Sequence, residues 1–151
     1  MKLTFPAILV LLVISLHAEA QHTNIMISDQ NYPEEPSICI NPYNTDEIVA
    51  GANINNLYYS TDAGQTWTVS TLQSPYGVWG DPCIMTDTNG SFYFYHLSNP
   101  PQGNWIDRIV CQRLDTIGGQ WTSGSYMGLN GTKAQDKEWA VVDSATNNIY
   151  V

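Results

Sequence analysis

Beyond its first twenty residues the chain is a succession of short runs in which apolar and polar residues alternate, each closed by a turn-forming cluster. A period of two predicts strands, and no long segment repeats its apolar residues at a helical period. The runs are Ser37–Asn41, Glu47–Asn53, Asn56–Ser60 and Thr66–Leu72, then Cys83–Asp87, Ser91–Leu97, Arg108–Leu114 and Gln120–Met127. Asn44-Thr45-Asp46, Thr88-Asn89-Gly90 and Thr146-Asn147-Asn148 supply the residue types that tight turns demand. The expectation is an all-β chain of antiparallel strands.

The runs repeat. Glu35-Pro36-Ser37-Ile38-Cys39-Ile40-Asn41 aligns with Asp81-Pro82-Cys83-Ile84-Met85-Thr86-Asp87, and Lys137-Glu138-Trp139-Ala140-Val141-Val142-Asp143 is a third copy. In each, an apolar alternating run ends at Asn or Asp, a turn follows, and a second strand begins. The spacing is 46 residues from Pro36 to Pro82 and 56 from Asp87 to Asp143. One repeating unit therefore spans about 36–72, the next about 82–127, and a third starts near 137 and reaches Val151 inside its second strand. The chain is expected to be the N-terminal part of a longer protein, because such a strand lacks its outer neighbours.

Within the first unit, Ser60-Thr61-Asp62-Ala63-Gly64-Gln65-Thr66-Trp67 lies between two strands. Asp62 can accept hydrogen bonds from the backbone of its own turn, Gly64 permits a positive φ, and Trp67 can pack beneath. Asp115-Thr116-Ile117-Gly118-Gly119-Gln120-Trp121 repeats the pattern with one extra residue, 53 residues on from Asp62 to Asp115. The Ser-x-Asp-x-Gly-x-Thr-Trp pattern resembles the Asp box of BNR repeats, carried by Ser60, Asp62, Gly64, Thr66 and Trp67 and in degenerate form by Asp115 and Trp121. The resemblance covers most of 31–151 and is to the sialidase-like propellers secreted by bacteria. It implies a β-propeller of four-stranded antiparallel blades, about six or seven when complete, with about two and a half here. It also implies that the Asp boxes are structural.

The first twenty residues differ in kind. Lys2, an apolar run from Phe5 to Leu16, and Ala18-Glu19-Ala20 resemble a secretory signal peptide cleaved after Ala20. The run is shorter than the roughly 20 residues a membrane span needs, so no membrane span is expected after cleavage and a secreted or cell-surface location is. A formal charge of −9 makes nucleic acid and anionic membrane poor partners. No cysteine spacing suits a metal, and no cofactor is implied. Cys83 and Cys111 could pair or remain buried thiols. Asn89-Gly90-Ser91 and Asn130-Gly131-Thr132 are glycosylation sequons.

Candidate chemistry lies in the loops that lead into each unit's first strand: Asn31–Glu35, Tyr76–Asp81 and Lys133–Glu138. In an up-and-down blade these share one face with the loops between second and third strands, opposite the Asp boxes. They carry Tyr32 and Glu35, then Tyr76, Trp79 and Asp81, then Asp136, Lys137 and Glu138. Carboxylates beside aromatic rings suit a glycan or glycoprotein, with rings stacking on sugar faces and carboxyls moving protons. Asp81, Asp136 and Glu138 are the candidate acids; Tyr32, Glu35, Trp79 and Lys137 are the candidate binding residues. Glu35 and Asp81 could instead cap turns or pair with a neighbouring unit, as Lys137 might with Asp81. The resemblance implies exo-α-sialidase chemistry, with an arginine triad, an aspartate acid/base and a tyrosine nucleophile. Its first arginine normally stands in Arg-Ile-Pro before the first Asp box, whereas 21–107 holds neither Arg nor Lys. Arg108 and Arg113 fall on a third strand. Two readings stay open: a glycan-binding or glycan-cleaving propeller, and a non-catalytic module docking a protein on the same face.

Overall fold

A computed structural model describes residues 23–129 and 131–151; the leader at 1–20 and Asn130 of the second sequon lie outside the described residues. Ten strands make three antiparallel sheets, and no helix occurs among the described residues. Sheet one is β1 (Ser37–Ile40), β2 (Ile48–Ala52), β3 (Asn56–Ser60) and β4 (Thr68–Thr71), paired in chain order. Sheet two repeats this with β5 (Gly80–Thr86), β6 (Phe92–Leu97), β7 (Arg108–Leu114) and β8 (Ser125–Gly128). A two-stranded sheet, β9 (Val141–Asp143) and β10 (Asn148–Tyr150), follows. Both four-stranded sheets are simple meanders, and β5 packs against both β1 and β9.

The repeat survives in atomic detail. Each first strand ends in a side chain that accepts from the backbone two residues on: Tyr43 N–H to Asn41 Oδ1 at 3.0 Å, Asn89 N–H to Asp87 Oδ1 at 2.8 Å, Ala145 N–H to Asp143 Oδ1 at 2.9 Å. These side chains turn the chain locally, which is why Asn or Asp recurs there. Sheets are joined by polar stitches as well: Ile84 N–H donates to Ser37 Oγ at 2.9 Å and Thr88 N–H to Asn147 Oδ1 at 2.9 Å.

The turn from β3 to β4 has the bonds its sequence calls for. Thr66 donates from its N–H at 2.9 Å and its hydroxyl at 2.6 Å to Asp62, Ser60 Oγ donates to Asp62 at 2.8 Å, and Gly64 N–H donates to Ser60 Oγ at 2.8 Å. Gly64 has φ +82°, and Trp67 Nε1 donates to Gly64 O at 3.0 Å. The Thr66 hydroxyl, then the Thr66 and Ser60 bonds, hold the Asp62 carboxyl down to about 2. Because Thr66 is committed to this turn, β4 starts at Thr68, two residues later than the alternation predicts.

The equivalent turn of sheet two is different. Asp115 is exposed and binds Arg113 at 2.6 Å and accepts from Ser91 Oγ at 3.2 Å instead of closing its own turn. Trp121 Nε1 crosses to Tyr59 Oη at 2.6 Å, and β8 begins only at Ser125. Arg113 stands where Ser60 does and Gln120 where Thr66 does, so the hydroxyls that close the Asp62 turn have no counterpart, and the extra residue carries the indole past its own turn.

Apolar faces of sheets one and two close on Val49, Leu57, Leu72, Ile84, Phe92, Phe94 and Leu114; those of sheet two and the β9–β10 pair meet through Met85, Tyr95, Leu97 and Ile109 against Val142 and Ile149. Burying each such side chain contributes about 1.5–3 kcal/mol. The apolar faces approach closely at Gly51 of β2, where an added Cβ would stand 2.6 Å from the Phe94 ring and 3.1 Å from Ile84. Phe94 is 1 % exposed and has nowhere to withdraw. Gly51→Val should therefore lower stability by about 1–3 kcal/mol through overpacking, read as a fall in the denaturation midpoint. A Gly51→Val protein as stable as the native one would show that the sheets do not meet here.

Candidate functional site

The loops leading into β1 and β5 meet at one end of the first two sheets. Glu35 and Asp81 occupy equivalent positions, each immediately before a proline, and both have φ of +50°. A left-handed backbone is unusual for a non-glycine residue and more so before proline, so the surrounding bonds must hold it. Trp79 N–H donates to Leu97 O at 2.9 Å and Asn99 N–H to Tyr76 O at 3.0 Å, fastening the second loop to the β6–β7 connection.

Asn53, at the end of β2, ties the two loops together. Its N–H donates to Glu34 O at 2.9 Å, its Nδ2 to Glu35 Oε2 at 2.6 Å, and its Oδ1 accepts from Asp81 N–H at 2.7 Å. The Glu35 and Asp81 carboxyls hydrogen-bond to each other. Two carboxyls so close cannot ionise independently, so the pair holds one proton below about pH 6. The bond to Glu35, and then burial, push Asp81 up to about 6, while the bonds from Asp81 and Asn53 lower Glu35. Lys137 Nζ, 3.8 Å from Asp81 Oδ1, pulls Asp81 the other way, but its side chain is half-exposed and the attraction is screened.

Glu35, Asp81, Asp136 and Lys137 line one cavity of about 620 Å³, with Trp139 and Cys83 in its walls. Asp136 is exposed and contributes charge but no bond to Asp81. Glu138 lies behind this cavity, 3 % exposed, with neither carboxyl oxygen hydrogen-bonded. Burial pushes it up to about 8, Lys137 opposing and the Asp81 charge reinforcing. At neutral pH it is therefore mostly protonated.

Trp79 and Tyr32 line an adjoining cavity of about 570 Å³ together with Asn53, Ile54 and Asn55. Tyr32 is almost fully exposed, and Trp79 stands edge-to-face with Trp105 at 5.4 Å. The candidate residues thus fall into an acidic cavity and an aromatic one that adjoin at Asn53. Sequence reasoning missed Asn53, Trp105 and Trp139. The placement of β2–β3 and β6–β7 connections on this face was the available signal for the first two.

Arg108 opens β7 at this same end but is fully engaged. It forms a two-pronged pair with Asp107 at 2.7 and 2.8 Å, and its guanidinium lies over Tyr76 at 5.4 Å and Tyr126 at 4.7 Å. Cys83 and Cys111 are free thiols. They flank Tyr95, on β5 and β7 either side of β6, and two strand spacings of about 4.8 Å exceed a disulfide's reach of about 7 Å. Among the described residues no cluster of His, Cys, Asp and Glu could hold a metal ion, and no helix is long and apolar enough to cross a membrane.

The chain matches no family model and no curated protein. Inference about the site therefore rests on its geometry.

The state of Glu138 has a consequence for stability. Its folded value near 8 lies above the unfolded carboxyl value near 4.5, so folding takes up a proton between them and stability falls as pH rises through that window. Glu138→Gln should remove this loss, which is on the order of a few kcal/mol by about pH 8, leaving below about pH 6 only the smaller slope from Asp81. Thermal midpoints of both proteins across this range check it; parallel curves would contradict a buried neutral Glu138.

Proposed function

We propose that this chain is part of a secreted, sialidase-like BNR/Asp-box β-propeller whose loop-bearing end binds or hydrolyses a glycan. Support for a propeller comes from repeated four-stranded meanders stacked through their first strands, with an Asp-box turn that closes as that motif requires. The half-exposed apolar residues Ile38 and Ile40 on β1 are the kind of surface a neighbouring blade covers.

The observation that carries the functional reading is the proton-sharing Glu35–Asp81 pair beside the Trp79–Trp105 platform. A sugar stacked on Trp79 would place its hydroxyls and glycosidic oxygen near carboxyls of unequal acidity. Asp81, protonated up to about pH 6, is the natural proton donor; Glu35 keeps it poised. Carboxyls in contact are closer than the roughly 5–10 Å between opposed groups in glycosidases, so an opposing group would come from Asp136, since Glu138 is buried behind the cavity. Among the described residues Lys137 is the only cation lining the acidic cavity. Without an arginine there, a neutral glycan suits the site better than a sialoside.

One observation favours the alternative, a non-catalytic protein-binding propeller. Asn53, Glu35, Asp81 and Lys137 form a bonded chain that would equally serve as a latch between sheets. Hydrolysis of fluorogenic glycosides by the full-length protein separates the two. The enzyme reading expects release from at least one neutral glycoside, falling above about pH 6 and dropping at least about 100-fold in Asp81→Asn with folding retained. No release from any glycoside by well-folded protein would overturn hydrolysis in favour of binding.

A further inference from the structure

A third concavity, of about 480 Å³, shares no residue with the two at the loop-bearing end. Its floor is one face of β3 and β4. The cross-strand pairs Leu57–Ser70 and Tyr59–Thr68 set these side chains in adjacent rows, because alternate residues of a strand share a face. Its wall is the turn from Ile117 to Trp121 between β7 and β8. The groove thus runs along the flank of the molecule, where the outer halves of sheets one and two diverge.

Trp121 is the reason the wall stands where it does. Trp67 bonds back to its own turn through Gly64 O, whereas Trp121 reaches across to Tyr59 Oη and packs edge-to-face on Phe94 at 6.0 Å. The ring is therefore anchored to both sheets before any ligand arrives. Tyr59, like any phenol at neutral pH, keeps its proton, and burial raises its hydroxyl further above the ordinary value, the bond from Trp121 opposing.

The chemistry of the lining is uniform. Among the described residues no carboxylate, ammonium or guanidinium lines the groove; hydroxyls and amides stand beside two aromatic rings. Thr66 Oγ1 is committed to Asp62, but the hydroxyls of Thr68 and Ser70 and the amide of Gln120 have no protein partner among the described residues. Groups that both donate and accept, set beside aromatic faces without charge, match a molecule with neutral hydroxyls around an aliphatic ring. The volume lies within the range of roughly 300–1,000 Å³ typical of small-ligand sites and suits one or two sugar rings.

We infer that this flank groove is a carbohydrate subsite for a neutral mono- or disaccharide unit, independent of the loop-bearing end. Ligand contact would be made by the Trp121 and Tyr59 rings and by the Thr68, Ser70 and Gln120 polar groups. It goes beyond the proposed function and stands or falls separately, because no residue is common to the two places.

The test is fluorine NMR on full-length protein labelled with 5-fluorotryptophan, with the Trp121 and Trp79 resonances assigned from their Phe variants. Cellobiose, maltose, lactose and N,N′-diacetylchitobiose are titrated in turn. The expected result is a saturable shift of the Trp121 resonance with at least one of them. Ser70→Arg, which fills the groove, should weaken that response at least about tenfold, and Thr68→Val, which keeps the shape and removes a hydroxyl, should weaken it several-fold. A Trp121 resonance unmoved by all four sugars would overturn the inference. So would a shift that Ser70→Arg and Thr68→Val leave unchanged, or one confined to Trp79, which would place all binding at the loop-bearing end.

Discussion

Asn53 makes three bonds from its backbone N–H and one short side chain that both donates and accepts. A backbone N–H, a side-chain donor and a side-chain acceptor reach Glu34, Glu35 and Asp81, drawing the loop before β1 and the loop before β5 onto the end of β2. Each such bond contributes roughly 1 kcal/mol net, and more where its partner is charged. They oppose the cost of two left-handed residues before proline, about 1–3 kcal/mol each. Gly80 completes the arrangement, since a Cβ there would come within 1.9 Å of Asn53 Oδ1. Without the amide, only the half-exposed Lys137 ammonium would draw the Glu35 and Asp81 carboxyls together.

The two ends of the sheets follow different rules as a result. In the Asp62 turn the carboxylate is satisfied locally by Thr66 and Ser60 and holds its charge firmly. At the other end the bonds run between sheets, and the carboxyls are left with shared or missing partners, as Asp81 and Glu138 show. Local satisfaction gives rigidity, and unsatisfied acidity gives chemistry. The glycan reading proposed above draws on that contrast, and the open aromatic platform of Trp79 and Trp105 belongs to the second end.

What could be read in the sequence was what is decided locally. Alternation placed the strand cores, least well for β8, where Gln120–Met127 was expected and Ser125–Gly128 forms, and the Asn or Asp at the end of β1, β5 and β9 announced turns it makes through its own side chain. The Asp62 turn was legible for the same reason. Strand starts were less so: β5 begins at Gly80, earlier than Cys83, because a register shift lets Gly80 pair with Leu97 ahead of the regular ladder. The Asp115 turn was misjudged because its indole partner lies 62 residues away. Asn53, the burial of Glu138 and the separation of Cys83 from Cys111 all depend on contacts between strands or sheets, about which spacing along one chain is silent.

The most direct test of the account is a carbon-13 NMR titration of the side-chain carboxyls, comparing the native protein with Asn53→Ala. With the pair intact, Asp81 should titrate near 6 and Glu35 below the usual carboxylate range; in Asn53→Ala both should move toward ordinary values while the sheets stay folded. Ordinary values for both carboxyls in the native protein would contradict the proton-sharing pair, and with it the organisation of the site.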